Sequence, residues 1–212
     1  MRITLGLDAA WGGLGWSLAT DQGPLAVGHV KLSGSTWRWA ALSAYLDDVI
    51  APAISDGELM LAPADPPVRL IIEEPPMIYS GADRRRKANP GEKLGPAGNQ
   101  TAVGYGLGRL AGALELWSVR RGGLAYPWLV DPRTWRSWWR VGGKGRGERK
   151  RAAVDTVRAN GWARHLTPHT WTGDDGGAQG DVAEAMLLAV GGARRDSEAP
   201  AGPNRPHRGY KR

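Results

Sequence analysis

Short apolar runs separated by tight turns organise the first seventy residues of the chain. The runs Arg2–Asp8, Gly15–Thr20 and Pro24–Leu32 each have strand character, and their connections are short enough for an antiparallel meander. Apolar residues at helical spacing predict a helix over Trp37–Ile54. The almost wholly apolar run Val68–Ile72 predicts a fourth strand that is buried on both faces.

The second half of the chain alternates helical and strand patterns. Helices are predicted over Gln100–Arg120, Glu148–Asn160 and Gly180–Val190, with a fifth strand over Ala125–Val130. Residues 131–147 are basic, aromatic and rich in glycine, and their pattern predicts no regular element. A meander followed by alternating strands and helices predicts an α/β fold with a five-stranded mixed sheet, three strands antiparallel and two parallel, flanked by helices.

The chain length of 212 residues suits one core rather than two. We expect a single domain over residues 1–192 and a basic, disordered tail over 193–212, where glycine, proline and arginine dominate. The polar stretch 77–99 is predicted to be a mobile loop. The sequence has no apolar run long enough for a membrane helix and no secretory leader pattern, so we expect a cytoplasmic protein (in the host cytoplasm if it is viral).

Charge and composition narrow the possible chemistry. The formal net charge of +7 favours an anionic partner, and arginine forks bind phosphate well. The alternative is a coding bias, since the chain contains no phenylalanine but 11 tryptophans. The absence of cysteine excludes disulfides and thiolate ligands, so a bound metal would need carboxylate or histidine ligands. Carboxylates suit Mg²⁺ or Mn²⁺.

Four acidic residues stand out by their positions in the predicted elements. Asp8 ends the first strand, Glu73 ends the fourth, and Asp181 and Glu184 lie one turn apart on one face of the last helix. Each alone has an ordinary interpretation: a turn-binding Asp8, a Glu73 paired with Arg69, and solvated acids on a helix. Together they predict a metal site, because converging carboxylates repel one another unless divalent cations neutralise them.

The acidic set has open alternatives. Glu74 directly follows Glu73, but side chains alternate along a strand, so Glu74 is expected to point away from the others. Asp174 and Asp175, in a glycine-rich loop before the last helix, are further candidate ligands. His169 is either a candidate base near the metal or a loop residue with no chemical role.

The motifs around these acids resemble those of RuvC-type Holliday-junction resolvases. The run from Gly6 to Ala10, followed by Gly15-Trp16-Ser17, resembles the family's opening hairpin. Ile71-Ile72-Glu73 resembles the strand that ends in the second catalytic acid, and Asp181–Ala189 resembles the closing helix. The likeness extends from Arg2 to about Val190, and the ordered combination of motifs is more specific than any one of them.

This resemblance implies an RNase H-like fold and a homodimeric, metal-dependent endodeoxyribonuclease that resolves four-way DNA junctions by paired symmetric nicks. It also implies two Mg²⁺ ions per active site, with Mn²⁺ able to substitute. The implied metal-binding residues are Asp8, Glu73, Asp181 and Glu184, and the implied catalytic residues are these four together with Lys150. Glu184 stands where the bacterial enzymes usually have aspartate, which gives it a longer reach.

The resemblance further implies residues that contact DNA. A basic residue near the scissile phosphate matches Lys150 best, with Lys144 as the alternative, and a solvated helix charge is an equally good interpretation of Lys150. Tyr79 is the candidate aromatic wedge in the loop after Glu73. The basic run of that loop is predicted to lie on the junction arms and comprises Arg84, Arg85, Arg86 and Lys87.

A second basic surface is predicted between Arg133 and Arg151, where eight Lys or Arg residues accompany one acid. Its candidate DNA contacts are Arg136, Arg140, Lys144, Arg146 and Lys150. The interleaved Trp135, Trp138 and Trp139 could stack on an unpaired base or belong to the core, and the core is the better interpretation of Trp135.

Three alternative functions remain open in the sequence. The same acids would serve a nuclease for RNA–DNA hybrids or other branched DNA. An actin-like ATPase or kinase opens with a similar hairpin, but it needs two such cores and would bind nucleotide. A protein that binds junctions without cutting them would have the fold but would lack one of the acids.

Overall fold

The computed structural model describes residues 3–10, 13–31, 44–60, 68–73, 112–114, 116–117, 120, 124–173 and 176–195. Several predicted features lie outside these residues, namely most of the helix Gln100–Arg120, the loop 77–99 and the tail beyond residue 195. The individual candidates outside them are Glu74, Tyr79, Arg84, Arg85, Arg86, Lys87, Asp174 and Asp175.

Five strands form one mixed sheet in the order β3-β2-β1-β4-β5. They are β1 (Thr4–Ala10), β2 (Gly13–Ala19), β3 (Pro24–Lys31), β4 (Val68–Glu73) and β5 (Leu124–Val130). The first three pair as an antiparallel meander, and β4 joins β1 and β5 in parallel. The predicted fold class is therefore confirmed.

Strand alternation gives the sheet two different faces. The first, which we call the α1 face, carries large aliphatic side chains that pack against the helix α1 (Ala51–Met60) and the turn before it. The second, the α4 face, lies under the helix α4 (Gly177–Arg194). Along β1, for example, Leu5 and Leu7 belong to the α1 face, whereas Gly6 lies against α4.

The helix on the α1 face contains a π-helical turn, Leu46–Ile50, which follows the helical residues Ala44 and Tyr45 and continues through α1 to Met60. The amide of Ala51 donates to the carbonyl of Leu46, one residue further back than in an α-helix. Pro52 follows directly and has no amide to donate, so the wide turn lies where the regular ladder is broken. The helix thus extends beyond the predicted end at Ile54, which is itself buried in the core.

The helices of the second half differ from the predictions in number and length. Pro132–Trp139 forms α2, which the sequence pattern did not predict. Arg146–Ala159 forms α3, close to its predicted bounds. The last helix, α4, begins earlier and ends later than predicted.

The signal for α2 lies at its first residues. The side chain of Asp131 accepts a hydrogen bond from the amide of Arg133, and Pro132 occupies the first turn. Both residues are typical of helix starts. Within the described part of the chain, no helix is long and apolar enough to cross a membrane.

Candidate active site

Two of the predicted acids follow the last residues that pair two neighbouring parallel strands with each other. Asp8 does not end β1 as predicted, because the strand continues to Ala10 through its pairing with β2. Leu7 of β1 pairs with Ile72 of β4, so Asp8 and Glu73 come next on adjacent strands. The carboxyl ends of parallel strands meet at one edge of a sheet, which places both side chains there. Asp8 is buried, with 5% of its surface exposed.

The other two acids come from the first turns of α4, which crosses the same edge. Asp181 and Glu184 are 6% and 4% exposed. The helix lies so close to the sheet because glycines face it: a Cβ on Gly15, the cross-strand partner of Asp8, would stand 2.5 Å from the carbonyl oxygen of Asp181. A Cβ on Gly6 would stand 2.7 Å from the carbonyl oxygen of Ala185. The absence of side chains at these strand positions therefore sets the distance between the acids of β1 and those of α4.

Two basic side chains lie among the four acids. Lys150 of α3 is 2% exposed, pairs closely with Asp181, and lies 3.4 Å from Glu184 Oε2. Arg136 of α2 lies 3.3 Å from Glu184 Oε1 and 3.5 Å from Glu73 Oε1 through one guanidinium nitrogen. Glu184 thus connects both cations, and the predicted convergence of acids from three elements is present.

Two further side chains hold the acids from outside the cluster. His29 of β3 lies with its Nε2 atom 3.1 Å from Asp181 Oδ2. The indole of Trp135 donates a 2.7 Å hydrogen bond to Glu73 Oε2. His29 was missed in the sequence, and its signal is strand alternation, which puts it on the α4 face two residues after Val27.

Burial and mutual repulsion raise the pKa of two of the acids. For Asp8, burial is the main cause, followed by the charges of Glu184 and Glu73, and they hold its pKa well above the usual range. For Glu73, burial and the charge of Glu184 raise the pKa from 4.5 to about 7, although Arg136 opposes the shift. These two carboxyl groups consequently resist ionisation in the metal-free protein.

The ion pair between Lys150 and Asp181 shows the opposite behaviour. Burial disfavours the charge of Lys150, but Asp8, Glu184 and Asp181 outweigh it and raise the pKa of the ammonium group. Burial also opposes ionisation of Asp181, but the hydrogen bond with His29 and the charge of Lys150 lower its pKa below the usual value. This pair is therefore ionised at neutral pH.

The donor chemistry of the cluster fits a hard divalent cation. It offers carboxylate oxygens only, and among the described residues nothing donates a hydrogen bond to the buried Asp8 Oδ2. The spacing in this structure, however, is set by Lys150 and Arg136. Across the described residues, no three His, Asp or Glu side chains are spaced to hold one ion. In this structure the carboxylates of Glu73, Asp181 and Glu184 pair with Lys150 and Arg136 instead.

The predicted DNA-contacting residues divide into two groups. Arg140, Lys144 and Arg146 are exposed beside the site, at the end of α2 and the start of α3. Lys150 and Arg136 instead point inward to the acids, because each finds carboxylate partners that a surface position would not provide. Arg136 was predicted to contact DNA from the surface, but in the structure it lies within the acid cluster.

The tryptophans of α2 belong to the packed interior rather than to an open stacking surface. Trp135 is fully buried, which agrees with its core interpretation. Trp139 donates its indole hydrogen to the carbonyl of Leu187, and Trp138 packs against Trp128 with ring centres 5.6 Å apart. The stacking hypothesis is therefore wrong for Trp135 and has no support for the other two.

His169 lies beside His29 rather than among the acids. Partial burial and the charge of His29 lower the pKa of His169. Its backbone carbonyl accepts a hydrogen bond from the side chain of Gln179 in α4. These contacts support a structural role for its loop.

The chain resembles known proteins in its structure, but no sequence match was found. No model of a known protein family matches the sequence, and no curated protein matches it. A solved structure of T. thermophilus RuvC in complex with Holliday junction substrate matches with a TM-score of 0.50 and 13% identity, over 93% of this chain and 96% of that chain. Another, of Thermus thermophilus RuvC, has a TM-score of 0.49 and 15% identity over the same shares. The first match confirms the predicted resemblance at the level of the fold: the chain has the RNase H-like fold of RuvC.

Proposed function

We propose that the protein is a metal-dependent endodeoxyribonuclease that resolves four-way DNA junctions. The observation that carries this proposal is the meeting of Asp8, Glu73, Asp181 and Glu184 at one edge of the sheet. Burying several acids together costs folding free energy unless cations neutralise their charges. Such a cluster is therefore expected where bound cations act on a phosphate substrate. The likeness in fold to a RuvC bound to a Holliday junction supports the choice of substrate.

The four acids would hold two Mg²⁺ ions, or Mn²⁺ in their place. When bound, such ions activate a water for in-line attack on a phosphodiester and stabilise the leaving 3′ oxygen. In the metal-free protein, Lys150 and Arg136 partly neutralise the acids and keep them together. Once released from the carboxylates, both cations would lie within reach of the substrate phosphate, where positive charge stabilises the transition state.

The exposed basic residues next to the site are suited to DNA phosphates. Arg140, Lys144 and Arg146 are exposed around the connection from α2 to α3, close in sequence to Lys150. Phosphate contacts of this kind supply affinity and position the duplex without reading its sequence. We place the protein in the cytoplasm and propose a homodimer, because paired symmetric nicks need two active sites.

A cleavage assay tests this function. The protein is incubated with a synthetic four-way junction and Mg²⁺ or Mn²⁺, beside matched duplex, flap and RNA–DNA hybrid substrates. We expect paired nicks at symmetric positions in the junction only. The variants Asp8→Asn and Glu73→Gln should bind the junction and fail to cut it.

Other outcomes would assign the protein to one of the alternatives. Faster cleavage of the hybrid would make it a ribonuclease of the same fold. Junction binding by the parent without cleavage in either metal would make it a structural junction-binding protein. Binding of ATP in place of DNA would point to an ATPase or kinase and would end the nuclease proposal.

A further inference from the structure

A pocket outside the acid cluster lies between α3 and the segment that leads into α4. Its volume is about 310 Å³, at the lower end of the range for small-molecule sites. The lining residues are Arg151, Val154, Asp155, Arg158, Trp171 and Gln179. None of them belongs to the site described above.

The indole of Trp171 gives this pocket an aromatic wall. Gly176, whose backbone has φ +81°, lies close to the ring, and a Cβ there would stand 2.8 Å from it. The guanidinium carbon of Arg151 lies over the ring, 5.8 Å from its centre. Nucleobases stack on aromatic rings and on guanidinium groups alike.

The charges around the pocket favour a ligand that carries phosphate. Arg151, Asp155 and Arg158 lie on one exposed face of α3. Arg158 pairs with Asp155 at 3.4 Å, but both side chains are more than half exposed. An exposed pair of this kind is weak, so Arg158 can exchange its partner for a phosphate.

The position of the pocket connects it with the acid cluster. Arg151 directly follows Lys150 along α3, and Gln179 precedes Asp181 by two residues in α4. The same two helices therefore supply walls to the pocket and charged groups to the acid cluster. Arg151 and Lys150 lie at nearly the same height along α3 but on different sides of it, Arg151 exposed and Lys150 buried.

We infer that this pocket receives the base of one unpaired nucleotide from the strand bound at the acid cluster. The base would stack on Trp171, and Arg151 and Arg158 would contact the flanking phosphates. This inference rests on the proposed nuclease function for its substrate. It adds a contact that depends on an unpaired base, which a fully paired duplex offers only after base flipping.

The test measures binding of labelled single strands by fluorescence anisotropy in the Asp8→Asn background, so that the strands stay intact. The reference strand is an octathymidylate. It is compared with a series of strands that have the same phosphates and in which one thymine at a time is replaced by an abasic residue. We expect at least one abasic position to weaken binding by about fivefold or more, since stacking on an aromatic ring contributes that much. Trp171→Leu should weaken binding of the intact strand to the same degree and abolish the difference.

Matched variants separate stacking from packing. Trp171→Phe keeps a ring and should retain most of the preference, whereas Trp171→Leu keeps apolar bulk only. Arg151→Gln should weaken both strands equally by removing a phosphate contact. Melting curves by circular dichroism confirm folding, and the abasic scan in the Trp171-containing protein needs no change in the pocket.

The result that overturns the inference is equal affinity for the intact strand and every abasic strand. Binding of thymidine monophosphate as tight as that of the octamer would also overturn it, because the pocket would then serve a free nucleotide. If the parent protein cuts junctions but binds all strands with equal affinity, the pocket proposal is overturned and the nuclease proposal is supported. If the parent does not cut junctions but the intact strand still binds more tightly, the nuclease proposal is overturned and the pocket proposal is supported.

Discussion

The two faces of the sheet are packed differently. On the α1 face, large side chains such as Leu7, Leu70 and Ile72 fill the space between sheet and helix. On the α4 face, Gly6 and Gly15 bring the helix backbone close to the strands, and an apolar cluster packs beside the buried acids. Both faces bury apolar surface and stabilise the fold, but among the described residues only the α4 face also buries charged groups that oppose folding. The acid cluster is therefore confined to one side of a sheet that both sides stabilise.

The largest expected effect is the loss of junction cleavage when an acid on the α4 face is replaced. Asp8→Asn on the α4 face should reduce single-turnover junction cleavage about a thousandfold or more, because the proposed site loses one of its metal ligands. The same change should raise the free energy of unfolding at pH 8 without metal, because it removes a buried carboxylate whose pKa is raised. Denaturant titration and quench kinetics measure the two effects.

A control on the other face should give the reverse pattern. Leu70→Ala removes a fully buried side chain and should lower the free energy of unfolding by about 2–5 kcal/mol. The cleavage rate of the folded fraction should stay within twofold of the parent. A loss of unfolding free energy in Asp8→Asn equal to that in Leu70→Ala would contradict the claim that the buried carboxylate of Asp8 opposes folding.

The next effect tests the close approach of α4. Gly15→Ala places a methyl group 2.5 Å from the carbonyl oxygen of Asp181, so the first turn of the helix has to move. We expect a loss of about 3 kcal/mol in the free energy of unfolding, together with weaker cleavage. Gly142→Ala, where a Cβ meets nothing within 4 Å, should stay within about 0.5 kcal/mol of the parent. A normal melting temperature for Gly15→Ala would show that the helix is not held where we describe it.

The pH dependence of stability provides a third test. The pKa of Glu73 is about 7 in the folded protein and ordinarily 4.5, so between these values the folded state binds more protons than the unfolded state. The free energy of unfolding in chelator should therefore fall as pH rises from about 4.5 to 7, with a contribution from Glu73 on the order of 3 kcal/mol at most. Denaturant titrations at each pH measure the slope.

Two variants isolate this contribution. Glu73→Gln should reduce the slope and leave the part that comes from Asp8, whose pKa is also raised, whereas Asp48→Asn, at an exposed position in the π-helical turn, should leave it unchanged. Mg²⁺ should also reduce the slope, because a bound cation favours the ionised carboxylate. A slope that is the same in Glu73→Gln and parent would show that this carboxyl group titrates normally.

The smallest expected effect concerns the contact of β3 with α4. His29→Gln should lower the free energy of unfolding by about 1 kcal/mol, because the hydrogen bond with Asp181 is lost. A double-mutant cycle with Asp181→Asn should return a coupling of similar size. His165→Gln, at a partly buried position outside the acid cluster, serves as the control with no coupling. Additive effects of His29→Gln and Asp181→Asn would show that the contact contributes nothing.

Much of the fold could be predicted because strand alternation and helix spacing are local signals. The five strands were predicted within two residues of their observed bounds. Of the four acids, Glu73 ends its strand, Asp181 and Glu184 lie on the last helix, and Asp8 lies two residues before the end of β1. The missed helix α2 carries its own start signal, Asp131-Pro132, but its basic and aromatic composition resembles that of a binding loop. In this segment the helix-start signal predicted the structure better than the composition did, because Trp135 is buried in the core rather than exposed in a loop.

The partners of the acids could not be predicted from the sequence. Helical spacing puts Lys150 on one stripe with the apolar residues Ala153, Val154 and Val157. No such signal distinguishes Arg136, which turns inward, from Arg140, which stays exposed. The difference arises only when α2 and α3 pack against α4, more than thirty residues further along the chain. His29 is missed for the same reason, since its carboxylate partner lies 152 residues away.

The far end of α4 is fastened as firmly as its start. Arg194 donates to the carbonyl of Asp21 at 2.8 Å and lies over the rings of Trp139 and Trp162. The helix is thus anchored at its C-terminal end as well as beside the acid cluster. If the cluster binds metal as proposed, the extra methylene of Glu184 gives this carboxylate a longer reach toward an ion than an aspartate on the same anchored helix would have.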